Sequence, residues 1–525
     1  MIWLILSAAA MLVTLLFTMT KQLHLLQLNS YFNKRFLEYL FTADYKNAVL
    51  ALAVFSVSLV LIFVSPLGLF ILVTVTGIFR ILSTIRHMKK AKKKISYTAR
   101  IKRMYGTALT LSALSLTAAK LFLYDDLQLM LYCFAVSLAL IASPFFTMAI
   151  NLINTPVEKA IAQYYISDAK KILRSMPGMK VIGITGSYGK TSTKYILGRL
   201  LLEKYNVTFT PESYNTLMGV VRTVRERLKS GTQVFVVEMG AKKPGDIKEI
   251  CDLVKPDMGI ITSVGPQHLN TFKSVENIIK TKFELSDAVI AKGGLMFFNH
   301  DNAYIKEKAK DLSGVRFSQN NPSCDVHAEN IAFGRFGLSF DICTKGRRIS
   351  VTTKLLGNHN ILNILAAAAV GIELGLKDID IKFAVSQLTA VPHRLEMKPF
   401  TNGSLLIDDA YNANPEGSAE AVKVLGSFSG MKRIIITPGL VELGEKEYEC
   451  NFNLGRICAD HCDIIILVGA KRSVPLAEGV KSGNFTEENL HVMETFQDAL
   501  AFVRSICDKN TVVLFENDLP DNYAK

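Results

Sequence analysis

Acidic residues are scarce in the first 150 positions of this 525-residue chain, although they are common afterwards. That region contains 15 Lys and Arg residues but only 4 Asp and Glu residues, and it is also rich in apolar residues. Most of the formal net charge of +14 is therefore concentrated there. Positive charge beside long apolar runs is typical of membrane flanks, so the charge does not indicate a nucleic-acid partner.

Paired cysteines are also lacking, since none of the eight cysteines belongs to a CxxC motif. Cys458 and Cys462 have helical spacing, but no further cluster of Cys and His accompanies them in the sequence. We therefore expect reduced cytosolic thiols rather than a zinc site. Internal repeats and long low-complexity stretches are absent too. The chain length instead predicts two or three domains and an additional region.

Long apolar runs fill residues 1–150, which we expect to be a transmembrane region of four to five helices. A membrane-spanning helix needs about 20 residues, or about 17 at the short limit. The candidate runs are Ile2–Thr18, Ala48–Val64, Leu67–Leu82, Tyr105–Tyr124 and Leu127–Ile150. Residues 80–103 carry ten Lys and Arg residues and no acid. The positive-inside rule places this basic loop, and with it the C-terminal portion of the chain, in the cytoplasm.

From about residue 156, strand-like runs alternate with amphipathic helical stretches, which is typical of α/β domains with a mostly parallel sheet. Met179–Thr185 is predicted to be a buried strand, and Thr191–Tyr205 an amphipathic helix. The residues between them read TGSYGKT and have the composition of a phosphate-binding loop. Glycines in such a loop let backbone N–H groups approach phosphate oxygens, and the start of the helix attracts anions.

Particular roles in this loop follow from residue type. The Lys190 ammonium suits the β- and γ-phosphates of a nucleotide, and the Thr191 hydroxyl suits Mg²⁺. The spacing departs from the standard pattern, because Ile184 stands where a further glycine is expected. The predicted ATP-binding residues of the loop are Gly186, Ser187, Tyr188, Gly189, Lys190, Thr191 and Ser192.

Two polar residues are expected at the carboxyl ends of further strands. Glu238 ends the strand VFVVE, and His268 follows the strand GIIT. Ligands of open α/β sheets collect at this edge of the sheet. A carboxylate and an imidazole near a phosphate loop are suited to a metal site beside the nucleotide.

Eight motifs occur in order: TGSYGKT, ESYNTLMG, EMGAKKPGDI, TSVGPQHL, KFE, GNHNILNILAAAA, PHRLE and IDDAYNANPE. Together they resemble the Mur ligase family of cell-wall enzymes over roughly Met179–Lys525. The resemblance implies an α/β fold with a P-loop central ATP-binding domain at residues 179–391. It also implies a Rossmann-like C-terminal domain at residues 392–525, with residues 151–178 as a linker after the transmembrane helices.

The resemblance also implies ATP and Mg²⁺ as cofactors. In this family ATP phosphorylates a carboxylate, and an amine then attacks the acyl phosphate. The implied catalytic residues are Lys190, His268, Lys282 and Arg394. Metal ligands would be Thr191, Glu238, His268 and a carbamylated Lys282, with Lys280 two residues away as the alternative lysine. Further nucleotide contacts would come from Asn360, Asn363, Arg394 and Asp409. The implied substrate residues are Asn215, Tyr411, Asn412 and Asn414.

The motif IDDAYNANPE has the form found in family members that add D-alanyl-D-alanine. We therefore expect a peptide ligase that adds this dipeptide to a UDP- or lipid-linked muramoyl-peptide precursor at the bacterial plasma membrane. Soluble members begin with a small domain that grips a uridine nucleotide, whereas here apolar runs precede the central domain. Two alternatives therefore stay open: a lipid-linked or poly-γ-glutamate-type polymeric acceptor, and a non-catalytic scaffold on the lipid bilayer.

Overall fold

The computed structural model describes residues 2–43, 66–90, 94–122, 142–211, 214–266, 269–334, 337–411, 414–441 and 443–517, with a few further residues between 60 and 136. The chain divides into two compact units, Met1–Tyr164 and Tyr165–Lys525. The first unit is helical in its described part. Its helices are α1 (Ile2–Leu28), α2 (Asn33–Ala43), α3 (Pro66–Lys90), α4 (Ala99–Phe122) and the start of α5 (Ser143–Arg174).

Two helices in the described part of the chain, Ile5–Leu28 and Phe70–Lys89, are long and apolar enough to cross a membrane. They correspond to the first and third predicted spans. Tyr105–Tyr124 lies largely within α4, which is not among these two helices. Most of Ala48–Val64 and nine of the 24 residues of Leu127–Ile150 lie outside the described residues.

The predicted basic loop at residues 80–103 is largely helical. Helix α3 continues to Lys90, and α4 already begins at Ala99. Lys and Arg are good helix formers, so a basic segment beside an apolar helix can extend that helix. The predicted linker at residues 151–178 is also mostly helical, because α5 runs to Arg174. Ala169 of this helix lies in the core of the second unit.

The central domain is built on a nine-stranded sheet. Its strands are β1 (Lys180–Thr185), β2 (Val207–Phe209), β3 (Val234–Glu238), β4 (Met258–Ile261), β5 (Leu295–Asn299), β6 (Val315–Ser318), β7 (Val326–Gly334), β8 (Gly337–Thr344) and β9 (Arg347–Thr353). Their order is β2-β3-β1-β4-β5-β6-β7-β8-β9. Strands pair in parallel from β2 to β7, and β8 and β9 extend the sheet in antiparallel fashion.

Helices cover both faces of the central sheet, as the crossovers of parallel strands require. They are α6 (Lys190–Leu201), α7 (Leu217–Arg227), α8 (Asp246–Val254), α9 (Leu269–Phe272), α10 (Val275–Ala291), α11 (Ala303–Lys308), α12 (His359–Glu373) and α13 (Asp378–Ser386). Ile182 and Ile184 of β1 pack in one core and Val181 packs in another. A strand buried on both faces has a continuous apolar sequence, which is why β1 could be predicted.

The C-terminal domain has a six-stranded sheet with the order β10-β11-β15-β12-β13-β14. Its strands are β10 (Glu396–Pro399), β11 (Leu405–Asp409), β12 (Lys432–Thr437), β13 (Ile464–Val468), β14 (Leu490–Met493) and β15 (Thr511–Glu516). Only the β10–β11 pair is antiparallel. Its helices are α14 (Pro415–Gly426), α15 (Glu447–His461), α16 (Val474–Lys481) and α17 (Phe496–Ile506).

Candidate active site

The loop between β1 and α6 accommodates only glycine at two positions. At Gly186 a Cβ atom would lie 2.0 Å from Thr262 Oγ1. Gly189 has a φ of +80°, and a Cβ atom there would lie 2.8 Å from Asn363 Oδ1. Side chains larger than hydrogen are therefore excluded on both steric and conformational grounds. The loop keeps a bare backbone, as the close approach of a phosphate group requires.

Residues after β4 hold this loop in place. The Ser187 N–H donates to the Ser263 carbonyl at 2.7 Å, and the Tyr188 N–H donates to Ser263 Oγ at 2.8 Å. The Tyr188 hydroxyl also donates to the Pro266 carbonyl at 3.2 Å. Ser187 and Tyr188 thus use their backbone donors to shape the loop. Within the described part of the chain no side chain caps α6, so the helix start offers its own donors to an anion.

Lys190 is folded over the loop. Its Nζ atom donates to the Gly186 carbonyl at 2.7 Å and to the Ser187 carbonyl at 3.0 Å. Burial lowers the pKa of the Lys190 ammonium to about 8, while the Glu238 carboxylate opposes this shift and the Arg394 charge adds to it. The loop therefore holds a cation whose charge is only partly compensated, and a polyphosphate would supply the missing negative charge.

Glu238, at the carboxyl end of β3, is the centre of a polar cluster beside the loop. The Thr191 hydroxyl is 3.1 Å from both of its carboxylate oxygens. Asn215 Nδ2 donates to Oε1 at 3.0 Å, and Lys194 Nζ donates to Oε2 at 2.9 Å. The structure thus brings together three residues that were predicted separately: Thr191, Asn215 and Glu238.

The ion pair of Lys194 with Glu238 is fully buried, with side chains 0% and 1% exposed. Burial pushes the pKa of Glu238 upward, but the charges of Lys194 and Lys190 and the hydrogen bonds outweigh it and lower the pKa below its usual value. Glu238 is therefore ionised. Sequence reasoning missed Lys194, although a lysine on the apolar side of α6, three residues before Leu197, was a usable signal.

Lys282 lies on α10 and is buried, whereas its alternative Lys280 is exposed. Burial, followed by the charge of Lys190, lowers the pKa of Lys282 well below its usual value. In the described part of the chain its amine has no hydrogen-bonded or ion-paired acceptor. A neutral, buried amine is chemically suited to become a carbamate, because only the unprotonated form reacts with carbon dioxide.

Asn360 and Asn363 are buried near the start of α12, against the phosphate loop. Asn360 Nδ2 donates to the Leu356 carbonyl at 2.7 Å, and Asn363 Nδ2 donates to Asn360 Oδ1 at 3.1 Å. Asn363 Oδ1 accepts the Thr193 hydroxyl at 3.0 Å. These bonds fix α12 against α6 and so support the loop from behind.

Arg394, Asp409 and Tyr411 come together at the junction with the C-terminal domain. The Arg394 guanidinium lies 5.4 Å from the centre of the Tyr411 ring. Asp409 Oδ1 accepts the Leu395 N–H at 3.1 Å. Burial raises the pKa of Asp409 to about 6, although the positive charge of Arg394 opposes the shift. Because Arg394 also affects the Lys190 ammonium, the two domains contribute to one electrostatic site.

Glu516 is a second acid at this junction that sequence reasoning missed. It ends β15 directly beside Asp409 in the parallel register. Its Oε1 atom accepts the Ser418 hydroxyl. Burial, and then the neighbouring Asp409 carboxylate, raise the pKa of Glu516 well above its usual value. Glu516 could have been predicted in the same way as Glu238, because it is also an acidic residue at the end of an apolar strand, TVVLF.

Some predicted residues are not placed at the site. His268 and Asn412 lie outside the described residues. Asn414 is the N-cap of α14, and its Oδ1 atom accepts the Gly417 N–H at 2.9 Å. Its side chain is thus engaged in helix capping. Ser192 lies in the first turn of α6 and is partly exposed.

Comparisons with known proteins match both α/β domains. The family model of the Mur ligase middle domain matches residues 184–371, and that of the Mur ligase glutamate ligase domain matches residues 393–516. The UDP-N-acetylmuramoyl-tripeptide–D-alanyl-D-alanine ligase of Mycobacterium leprae is 30% identical over 375 residues, or 65% of this chain and 71% of the relative. The Escherichia coli enzyme of the same name is 29% identical over 341 residues, or 63% and 75%.

Two solved structures share this fold. MurF from Acinetobacter baumannii is 26% identical with a TM-score of 0.61, and the match covers 69% of this chain and 78% of that one. MurF ligase from Thermotoga maritima, determined in complex with ADP, is 25% identical with a TM-score of 0.61 and coverages of 69% and 81%. By its two matched domains and its identity with these relatives, the chain belongs to the Mur ligase family.

Proposed function

We propose that the chain is an ATP-dependent, ADP-forming ligase that joins D-alanyl-D-alanine to the carboxyl group of a UDP-linked muramoyl tripeptide. One observation carries the proposal. Lys190, Thr191 and Glu238 converge on a loop that has glycine at positions 186 and 189, where no side chain covers the backbone. The relatives that match both domains carry the name of this activity.

The loop and its neighbours would activate the acceptor carboxyl group. The Lys190 ammonium would hold the transferred phosphoryl group, and its pKa would rise as the phosphate charge approaches. Mg²⁺ would be held by Thr191 and Glu238, with His268 and a carbamylated Lys282 as further ligands, and would neutralise charge on the phosphate oxygens. The paired Thr191 hydroxyl and ionised Glu238 carboxylate form an oxygen donor set that fits this hard cation.

The C-terminal domain would complete the site. Arg394 would contact the polyphosphate, since its planar charge does not depend on pH. Asp409 would bind the ribose, while Asn360 and Asn363 would support the adenine side of the pocket. Asn215, Tyr411, Asn412 and Asn414 would lie along the path of the substrates. Closure of the two domains would keep water away from the acyl phosphate.

We further propose that α1 and α3 attach the ligase to the cell membrane with its catalytic domains in the cytoplasm. Their length and composition support this placement, and the basic residues at the end of α3 favour the cytoplasmic side. Alkaline carbonate extraction of membranes from cells expressing the full chain tests the attachment. The protein should stay in the membrane pellet, whereas release into the supernatant would contradict the proposal.

A ligation assay on the detergent-solubilised full chain tests the activity. ADP release should require the UDP-linked tripeptide and D-alanyl-D-alanine together, and the amide product should be detected by mass spectrometry. Lys190→Ala should abolish both signals, whereas Lys308→Ala, on an exposed face of α11, should not. Turnover only with a lipid-linked or polyglutamate acceptor would show that the UDP-linked tripeptide is not the acceptor. Nucleotide binding without turnover would favour a scaffold.

Two matched variants, Lys282→Ala and Lys280→Ala, test which lysine carries the proposed carbamate. Only the buried lysine should be essential, so Lys282→Ala should lose ligase activity while Lys280→Ala keeps it. Full activity of Lys282→Ala without added bicarbonate or chloride would remove the carbamate from the proposed metal site.

A further inference from the structure

Three potential metal ligands meet on the antiparallel part of the central sheet. His327 and Glu329 lie on β7, and Cys343 lies on β8. One ligand atom from each residue lies within 4.8 Å of the other two. His327 faces Cys343 directly in the strand register. Strands β4, β5 and β6 separate β7 from β1, so this cluster is distinct from the phosphate loop.

The orientation of His327 is fixed by a backbone group. Its Nδ1 atom lies 3.3 Å from the Cys324 carbonyl, which can only accept a hydrogen bond. A hydrogen bond at this point requires the proton on Nδ1, and in that neutral tautomer Nε2 carries the lone pair. Metal-binding histidines are commonly held in this way, because a carbonyl bonded to one nitrogen directs the other nitrogen to the metal.

The Glu329 carboxylate is also held in place. Its Oε2 atom is paired with Arg348, while Oε1 lies 3.3 Å from His327 Nε2. With a neutral imidazole, Nε2 and Oε1 are two acceptors that face each other, so a positive charge between them is needed. Either a proton on Nε2 or a metal ion can supply that charge.

Cys343 adds a third ligand beside His327 and Glu329. The Cys343 side chain is only 5% exposed and adds a sulfur donor to the nitrogen and oxygen donors. The Cys343 thiol also hydrogen-bonds the Glu329 carboxylate, so all three groups already contact one another, and Zn²⁺ binds imidazole, carboxylate and thiolate ligands together. We propose that His327, Glu329 and Cys343 bind Zn²⁺, with water in the fourth position.

Binding would release the Cys343 proton to solvent, since the thiolate is the ligand form. Burial, and then the Glu329 carboxylate, raise the pKa of the Cys343 thiol. Zinc affinity should therefore weaken as the pH falls. The bound ion would join β7 to β8 and stabilise the antiparallel part of the sheet without entering the ligase reaction.

Cobalt binding to the full chain tests this site. The protein is stripped with a chelator, kept in excess Mg²⁺ to occupy hard-oxygen sites, and titrated with Co²⁺ and then Zn²⁺. Wild type should show a thiolate-to-cobalt charge-transfer band that Zn²⁺ abolishes. Cys343→Ser should lose the band. His327→Gln should weaken zinc affinity by more than about 100-fold, since even outer-shell changes cost 10–100-fold.

Cys324→Ser is the matched control, because Cys324 contributes only its backbone carbonyl and the band should persist. The metal-free melting temperatures of the variants show whether they fold. Zn²⁺ should raise the melting temperature of wild type and Cys324→Ser, but not that of Cys343→Ser or His327→Gln. A missing band in wild type, or a band unchanged in Cys343→Ser, would overturn the proposal and leave a His327–Glu329 ion pair.

Discussion

At the scale of single residues, the candidate active site depends on charges that are buried together. Glu238 stays ionised because Lys194 and Lys190 compensate for the loss of water. Thr191 and Asn215 occupy the remaining directions around its carboxylate. The carboxylate is therefore held in one orientation beside the loop before any ligand arrives.

Removing one partner of the buried ion pair should strongly destabilise the central domain. Lys194→Met leaves the Glu238 charge buried without its closest cation, which typically costs about 3–5 kcal/mol. Thermal denaturation of the full chain should show a clear fall in melting temperature. Arg222→Ala, which breaks an exposed pair with Glu226, should change it little. If Lys194→Met is as stable as wild type, Glu238 is not a buried charge that depends on Lys194.

The lowered pKa of Lys190 predicts a pH-dependent nucleotide affinity. With a pKa of about 8 in the free protein, only about a tenth of the molecules carry the Lys190 charge at about pH 9. Bound phosphate favours the charged form, so ADP affinity should fall roughly tenfold between about pH 7 and about pH 9. Calorimetric titration measures this fall. Lys190→Arg should show no such fall. If the ADP affinities of wild type and Lys190→Arg depend on pH in the same way, the pH dependence does not come from Lys190.

At the scale of elements, the site is a strand, a bare loop and a helix. The loop glycines are required because Thr262 and Asn363 occupy the space of their missing side chains. Bonds from residues after β4 then fix the loop before ligand binding. The site is therefore pre-organised by β1, β4, α6 and α12.

A side chain at Gly189 should disturb this arrangement. Gly189→Ala introduces a Cβ atom at a φ of +80° and against Asn363, so the loop must shift. We expect ADP affinity to fall at least about tenfold, because the loop donors lose their alignment. Gly178→Ala is the control, since a Cβ atom at that position would have no neighbouring atom within 4 Å. Equal affinities for the two variants would mean that the loop adapts freely.

Sequence patterns predicted β1, the phosphate loop and the start of α6 because their signals are local. The glycines, the apolar strand and the amphipathic helix lie within 27 residues of one another, from Met179 to Tyr205. The contact of Lys194 with Glu238 depends on how β1 and β3 pair, and His327 meets Cys343 only through the register of β7 with β8. Such long-range pairings could not be read from spacing.

At the scale of the whole molecule, sequence patterns separated a basic apolar region from two α/β domains, and the structure has a helical unit and two sheets. The first and third predicted spans correspond to described helices that are long and apolar enough to cross a membrane, while most of the second and part of the fifth lie outside the described residues. The basic segment was expected to interrupt the helices as a loop, but its Lys and Arg residues are compatible with helix. A run of like charge is therefore a poor guide to where a helix ends.

We propose that the two α/β domains together activate a carboxyl group by phosphorylating it. The most direct test uses an acceptor whose reacting carboxyl group carries ¹⁸O. During ligation one carboxyl oxygen should leave with the phosphate. Mass spectrometry should therefore find ¹⁸O in the released inorganic phosphate. Lys190→Ala should release no ¹⁸O-labelled phosphate. Phosphate released without ¹⁸O while amide product accumulates would contradict the account.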